Sequence, residues 1–295
     1  MCSLIHLFFV NKVSLGKKLD SCVGDIKGIC ESNGLQYKLF MTDSIADMQA
    51  MVQKSESYAD AVFYAVGGDG TFQSLVNAVD LDKAVLQYLP FGSGNNAYIT
   101  FYNQPFDLKR DILCKDTFKA DLGQANGEYF ITMFGLALDS AIGNNLSKFR
   151  WLPFTGKAKY YASIFYTLLF DASPISAHMT VDGEKKHIVS SFISITNGPT
   201  TGGQTPISPH SSAFDGKLNA LIGEKLTLFK SLSLFSKVKT GEHLNEPGLL
   251  QYLFEELLFE SSEPLRYEID GEIHFANKIK INVCKNAITL KGKAL

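Results

Sequence analysis

The stretch Tyr64–Val79, YAVGGDGTFQSLVNAV, decides how the first part of this chain folds. Apolar residues run up to Val66, halt at Gly67-Gly68-Asp69-Gly70, and resume with helical spacing from Thr71. A short continuous apolar run bounded by glycines predicts a buried strand that turns directly into a helix. Glycine takes φ > 0 and has no Cβ, so successive N–H groups of such a turn can point at an anion. The positive end of the following helix adds to them. Asp69 would repel a phosphate unless a cation lies between, which suits a nucleoside triphosphate carried with Mg²⁺. A tight turn capped by Asp69 is the plainer alternative. LPFGSGNN (Leu89–Asn96), a second glycine-rich strand end one unit later, weighs against it.

Outward from this stretch the first hundred residues alternate. Strands are expected at Leu4–Val10, Leu35–Met41, Ala61–Val66 and Val85–Leu89, and helices at Lys17–Ser32, Ile45–Lys54 and Thr71–Val79. Strand–helix alternation at this spacing predicts a parallel, helix-covered sheet, on which ligands sit at the carboxyl ends of strands. Both glycine-rich segments lie at such ends.

Near Asp121 the pattern changes. Short alternating segments predict strands at Glu128–Met133, Ile175–Val181, His187–Thr196, Lys217–Ile222, Leu265–Ile269, Ile279–Val283 and Ala287–Leu290. Asp182-Gly183 and Asp270-Gly271 are hairpin-turn dipeptides. Helices are expected at Lys157–Phe170, Thr227–Lys239 and Leu249–Phe259. The fold class is therefore α/β plus all-β. Residues 1–120 form a Rossmann-like domain, and residues 121–295 an antiparallel β domain whose C-terminal segment packs back on the first. Asn197–Gly216, a long Gly/Pro/Ser/Thr loop, is a candidate functional segment.

The chain has 295 residues, 45% hydrophobic and 20% charged, an ordinary globular composition. A net charge of −2 gives no sign of a nucleic-acid partner. Five scattered cysteines without a C-x-x-C pair point to a reduced, cytoplasmic protein, without disulfides or a zinc–thiolate site. The apolar start is too short and lacks the basic residues of a signal peptide, and the run Tyr160–Phe170 is too short to span a bilayer. Lys148–Tyr161 mixes basic and aromatic residues, as a solvated helix start or a membrane-surface contact would. The six histidines show no ligand spacing.

VGGDGTFQSLVNAV followed by LPFGSGNNAYITF resembles the catalytic domain of the diacylglycerol kinase and sphingosine kinase family, including bacterial lipid kinases. VNKVSLGKK, ADLGQANGEYFITMFGLALDSAI, TNGPTTGGQTPISPHSSAFDGKL and YEIDGE resemble further family segments, in the right order over most of the chain. The resemblance implies ATP-dependent phosphorylation of a lipid hydroxyl, with a Rossmann-like domain and a β-sandwich domain. It implies that Gly67, Gly68, Gly70 and Thr71 cradle phosphates, and that Gly92, Ser93, Gly94 and Asn95 contact phosphate or ribose. Asn11 and Glu272 join the nucleotide site. Asp69 stands by Mg²⁺ with Asp121, and Asp215 matches a structural Mg²⁺ position. The chemistry of the D-G-E turns leaves Asp182 and Asp270 equal as candidate bases; the resemblance selects Asp270.

Three positions depart from the family pattern. Asn96 stands where an aspartate is usual, Thr132 replaces the asparagine of F-x-N, and Asn219 replaces an acidic residue after D-G-x-L. The partners implied are ATP and a lipid presented by the inner membrane surface; a homodimer is compatible with the sequence. Two alternatives stay open: an NAD kinase, which shares the G-G-D-G turn, and a nucleotide-binding regulatory protein, which Asn96 favours.

Overall fold

A computed structural model describes residues 4–55, 58, 60–102, 104–137, 174–224 and 228–295. The expected helix at Lys157–Phe170 and the basic–aromatic segment Lys148–Tyr161 lie outside them. The chain divides into two compact units: Met1–Ala120 with Asn286–Leu295, and Asp121–Lys285.

In the first unit, strand β1 (Ile5–Asn11) is followed by a short helix α1 (Lys12–Leu15) and by α2 (Leu19–Ser32). Then come β2 (Gln36–Thr42), α3 (Ile45–Ser55), β3 (Ala61–Gly67), α4 (Asp69–Val76) and β4 (Val85–Pro90). Helices α5 (Asn96–Phe101) and α6 (Leu108–Leu113) close the run. The strands pair in parallel, with β1 between β2 and β3, and β4 beside β3. Phe8, Val10, Ile26, Val62, Tyr64 and Leu89 are in its core, so β1 and β3 carry apolar runs because both of their faces are covered. The expected strands are in place. Helix α4 starts two residues earlier than the apolar periodicity suggests, because Asp69 and Gly70 already form its first turn.

The residues Asn286–Leu295 complete this unit: Thr289 and Leu290 pair in parallel with Val85 and Leu86. They also bring in Lys291, 4% exposed, whose Nζ donates to the Tyr64 hydroxyl at 2.5 Å and to the Ile112 carbonyl at 2.6 Å. The Tyr64 hydroxyl also meets His6 Nδ1 at 2.8 Å. Burial, aided by the Lys291 charge, lowers the His6 pKa from 6.5 to about 4. The unfolded chain therefore binds a proton on His6 between those pH values that the folded chain refuses. The resulting stability is present above pH 6.5 and lost as pH falls toward 4. His6→Gln should flatten the acid limb of the stability profile, removing on the order of 3 kcal/mol of its pH-dependent change. Urea titrations across that range measure it.

The second unit is built of antiparallel strands. Strands β5 (Thr117–Ala125), β6 (Glu128–Phe130) and β7 (Met133–Ala137) precede β8 (Ile175–Val181) and β9 (Glu184–Thr196). After β10 (Leu218–Glu224) and helix α7 (Leu228–Lys237) come β11 (Leu249–Phe254), β12 (Glu256–Ile269) and β13 (Glu272–Lys291). Strand β9 pairs with β8 through residues 184–190 and with β7 and β10 through Phe192–Thr196. Strand β12 pairs with β8 through Leu257–Glu260 and with β7 through Tyr267–Ile269, with its register shifted against β13 in between. Long strands that change partners halfway serve two layers, which produces a sandwich around Phe130, Phe134, Phe254, Phe259, Ile195 and Ile281.

The expected helix at Leu249–Phe259 is instead the end-to-end pair β11 and β12. Tyr252 and Phe254 alternate inward, and so do Leu257 and Phe259, but the two runs are out of phase across Glu255-Glu256. That one-residue offset places apolar side chains at positions 250, 254 and 257 and imitates helical spacing. The expected single strand Glu128–Met133 is broken at Ile131-Thr132, and the two last expected strands are one.

Among the described residues no helix is long and apolar enough to cross a membrane. The described cysteines form no disulfide; burial raises the Cys22 and Cys30 thiols to about 12 and about 11, which keeps them protonated.

Candidate active site

The two glycine turns of the first unit touch. The Phe91 N–H donates to the Gly67 carbonyl at 2.7 Å, and a Cβ on Gly92 would lie 2.5 Å from the Gly68 Cα. Only a residue without a side chain lets these strands' ends approach so closely. A Cβ on Gly67 would fall 2.4 Å from Thr71 Oγ1, so that glycine is what lets the Thr71 side chain fold beneath the turn. Asn11 Nδ2 donates to that hydroxyl at 3.0 Å, while Asn11 Oδ1 caps α1 by accepting the Ser14 N–H at 3.0 Å. The structure thus gathers Asn11, Gly67, Gly68, Thr71 and Gly92. Ser93 and Gly94 lie in the second turn, and Gly70 is exposed in the first turn of α4.

Asp69 is held from the second turn. Its Oδ1 accepts the Ala97 N–H at 3.0 Å and the Tyr88 hydroxyl at 3.3 Å, and its Oδ2 faces Asn96 Nδ2 at 3.5 Å. Tyr88 also reaches Asn95 Oδ1 at 3.2 Å, and Asn95 takes the left-handed conformation (φ 55) that asparagine tolerates. Burial raises the Asp69 pKa against the opposing hydrogen bonds from Ala97, Asn96, Tyr88 and Asn95. A desolvated carboxylate with one oxygen only weakly engaged fits a bound cation or its water shell. Asn96 supplies an N–H where an aspartate would set a second negative charge against Asp69.

Ser14 and Tyr88 are members of this site that motif matching does not single out. Ser14 Oγ lies 4.0 Å from where a Gly68 Cβ would be. Ser14 lies in the VNKVSLGKK segment, of which only Asn11 is read as a site residue, and Tyr88 has the appearance of an ordinary strand aromatic, stacked on Phe72 at 4.9 Å.

The remaining candidates belong to the second unit. Both D-G-E segments are two-residue turns with φ > 0 at Asp and Gly, 45 and 91 for Asp182-Gly183, 44 and 101 for Asp270-Gly271. They differ in what the carboxylate does. Asp182 is exposed and accepts the N–H groups of Glu255 and Glu256 at 3.3 and 3.2 Å. Asp270 anchors the break between β6 and β7: its Oδ2 accepts the Ile131 N–H at 2.6 Å. Its Oδ1 accepts the Thr132 and Met133 N–H groups at 3.1 and 2.9 Å and the Thr132 hydroxyl. Burial nonetheless raises its pKa. Thr132, at a position where the family pattern has asparagine, serves as a donor to the D-G-E aspartate.

Asp121 is 3% exposed; its Oδ2 accepts the Gly216 N–H at 2.7 Å and its carbonyl accepts Asn197 Nδ2 at 2.9 Å. It ties the ends of the loop Asn197–Gly216. Asp215 is exposed and caps its own turn through the Lys217 N–H at 3.0 Å, and the Lys285 chain packs 3.1 Å from where a Gly216 Cβ would be. Among the described residues, one group of three His, Cys, Asp or Glu side chains brings ligand atoms within 4.8 Å of one another: Glu128, Glu272 and His274. Asp69, Asp121 and Asp215 are not in it.

The diacylglycerol kinase catalytic domain model matches residues 6–125, and that of the YegS C-terminal NAD kinase beta sandwich-like domain matches residues 133–291. A diacylglycerol kinase of Bacillus subtilis strain 168 is 26% identical over 255 residues, 82% of this chain and 81% of that protein. A provisionally named lipid kinase of Staphylococcus epidermidis is 27% identical over 299 residues, 96% of this chain and 95% of the other. A crystal structure from Bacillus anthracis strain Sterne, described provisionally as a diacylglycerol kinase, shares the fold. Its TM-score is 0.78 at 16% identity, covering 99% of this chain and 95% of that one. The chain belongs to the diacylglycerol kinase-like family of lipid kinases, with an α/β catalytic domain followed by a β-sandwich domain.

Proposed function

We propose that the protein transfers the γ-phosphate of ATP to the hydroxyl of a lipid, a diacylglycerol or a sphingoid-type alcohol, at the cytoplasmic face of a membrane. The observation that carries this is the contact of the two glycine turns around Asp69, with a Gly92 Cβ excluded at 2.5 Å from Gly68. Gly67, Gly68, Gly70 and Thr71 present N–H and hydroxyl groups to the phosphates, and Gly92, Ser93, Gly94 and Asn95 border phosphate or ribose. Asn11 steadies Thr71. Mg²⁺, when bound, neutralises the phosphate charge beside Asp69. Asp121 and Asp215 are proposed as further metal-site residues and Glu272 as a nucleotide contact, on family grounds. Asp270 is the proposed base: burial moves its pKa upward, toward the range where a carboxylate accepts a proton effectively, and its Oδ2 takes one hydrogen bond among the described residues.

An NAD kinase is the second reading, favoured by the description of the matched sandwich domain. Incubation with γ-labelled ATP, total lipid extract and NAD separates the two. Label in a lipid is expected, and label in NAD overturns the proposal. Asp69→Ala should lower transfer by on the order of a hundredfold or more, with weakened magnesium-dependent ATP uptake in calorimetry. Unchanged transfer by this variant would remove Asp69 from the mechanism.

A further inference from the structure

We infer that, in the chain without nucleotide, Glu128, Glu272 and His274 form a site for a divalent transition-metal ion of the zinc class, an ion other than the Mg²⁺ proposed beside Asp69. Their ligand atoms lie within 4.8 Å of one another, close enough for one ion to reach all three. One imidazole nitrogen and two carboxylates are a donor set for Zn²⁺ or Mn²⁺; Mg²⁺ prefers oxygen and water.

The backbone assembles the set. Glu272 and His274 are two apart on β13 and so project from the same face of the strand. Glu128 begins β6, just after the turn Asn126-Gly127, and Asn126 fastens that turn to β13. Asn126 Nδ2 donates to the Lys278 carbonyl at 3.0 Å, Asn126 Oδ1 accepts the Lys280 N–H at 2.9 Å, and the Asn126 N–H donates to the Lys280 carbonyl at 2.9 Å. Tyr267 stacks on the His274 ring at 5.3 Å and 21°, which fixes the imidazole plane.

A second, independent observation concerns His274 itself. Its side chain as a whole is 30% exposed, yet its Nε2 is shielded from solvent and has no hydrogen-bond partner among the described residues. Among the described residues its nearest carboxylate, Glu128 Oε2, stands 3.5 Å away, an ion pair when the ring is protonated but longer than a hydrogen bond. A polar atom left in this condition costs free energy, and two carboxylates beside it repel each other. An ion seated among them removes both penalties. Three protein ligands leave a further coordination position for water or for an oxygen of a bound molecule.

The test uses the full chain, metal-stripped and without nucleotide, dialysed against graded Zn²⁺ with and without excess Mg²⁺ and analysed for bound metal. One zinc per chain that Mg²⁺ does not displace is expected. His274→Ala and, separately, Glu128→Gln should each weaken that zinc by more than about tenfold, with far-UV dichroism showing both variants folded. Co²⁺ in place of Zn²⁺ should give a visible absorption band that His274→Ala shifts or abolishes. Zinc uptake equal in wild type and both variants, or no stoichiometric zinc at all, overturns the site. Because no transfer is measured, failure here is distinguishable from failure of the kinase proposal.

Discussion

Replacing Gly92 by alanine is expected to reduce phosphoryl transfer by on the order of a hundredfold, through loss of the turn geometry proposed to hold the triphosphate. The new methyl carbon would sit 2.5 Å from the Gly68 Cα, and the obstructing atom is backbone, which no rotamer change relieves. Either turn must retreat. The Phe91 N–H bond to the Gly67 carbonyl then stretches, and the backbone flanking Asp69 shifts with it. Overpacking of this kind costs about 1–3 kcal/mol of stability as well. Gly24→Ala is the control, since that exposed position in α2 has open space and alanine is the better helix former there. Calorimetric ATP affinity and transfer rate, measured on both variants, decide it; a Gly92→Ala protein that binds and transfers normally would show that the contact of the turns is incidental.

Asp270→Ala should abolish transfer and also destabilise the second unit, by about 3–5 kcal/mol. Its two oxygens take three backbone N–H groups and the Thr132 hydroxyl, so truncation strands all of them at the β6–β7 break. Asp270→Asn separates the two effects. It keeps one oxygen for Thr132 and Met133, sets an amide NH2 against the Ile131 N–H, and removes the base, so the variant should be less destabilised than Asp270→Ala and inactive. Asp182→Ala offers the contrast, because its bonds to Glu255 and Glu256 are exposed and their loss costs about 1 kcal/mol. Nearly full transfer is expected from it. Chemical denaturation alongside the transfer assay measures both quantities, and equal loss of activity in a folded Asp182→Ala would reverse the assignment.

The first unit was legible because its signals are local. Apolar runs ending in glycine mark β3 and β4, and strands alternate with helices along the sequence, although in the sheet β1 lies between β2 and β3. The glycine turns could be named from the sequence, yet their contact could not. Nothing in FGSGNN says that Gly92 must clear Gly68. The second unit was less legible because its strands are long and change partners, so alternation slips phase, as across Glu255-Glu256. Asp182 and Asp270 show the same limit at a site. Their tripeptides and backbone turns match, and the difference lies in whether residues 131–133, far off in sequence, supply the donors. Glu128 and His274 meet only because Asn126 is fastened to a strand some 150 residues later, a pairing without a linear signature.

Strand β13 has a bearing on how this protein comes into being. Its final residues supply the neighbour that Val85 and Leu86 need and the ammonium that rests on Tyr64. During synthesis most of the first unit therefore emerges from the ribosome long before the segment that completes it, holding an open sheet edge until residues 286–295 arrive. Nascent chains stalled before that point would be natural clients for chaperones.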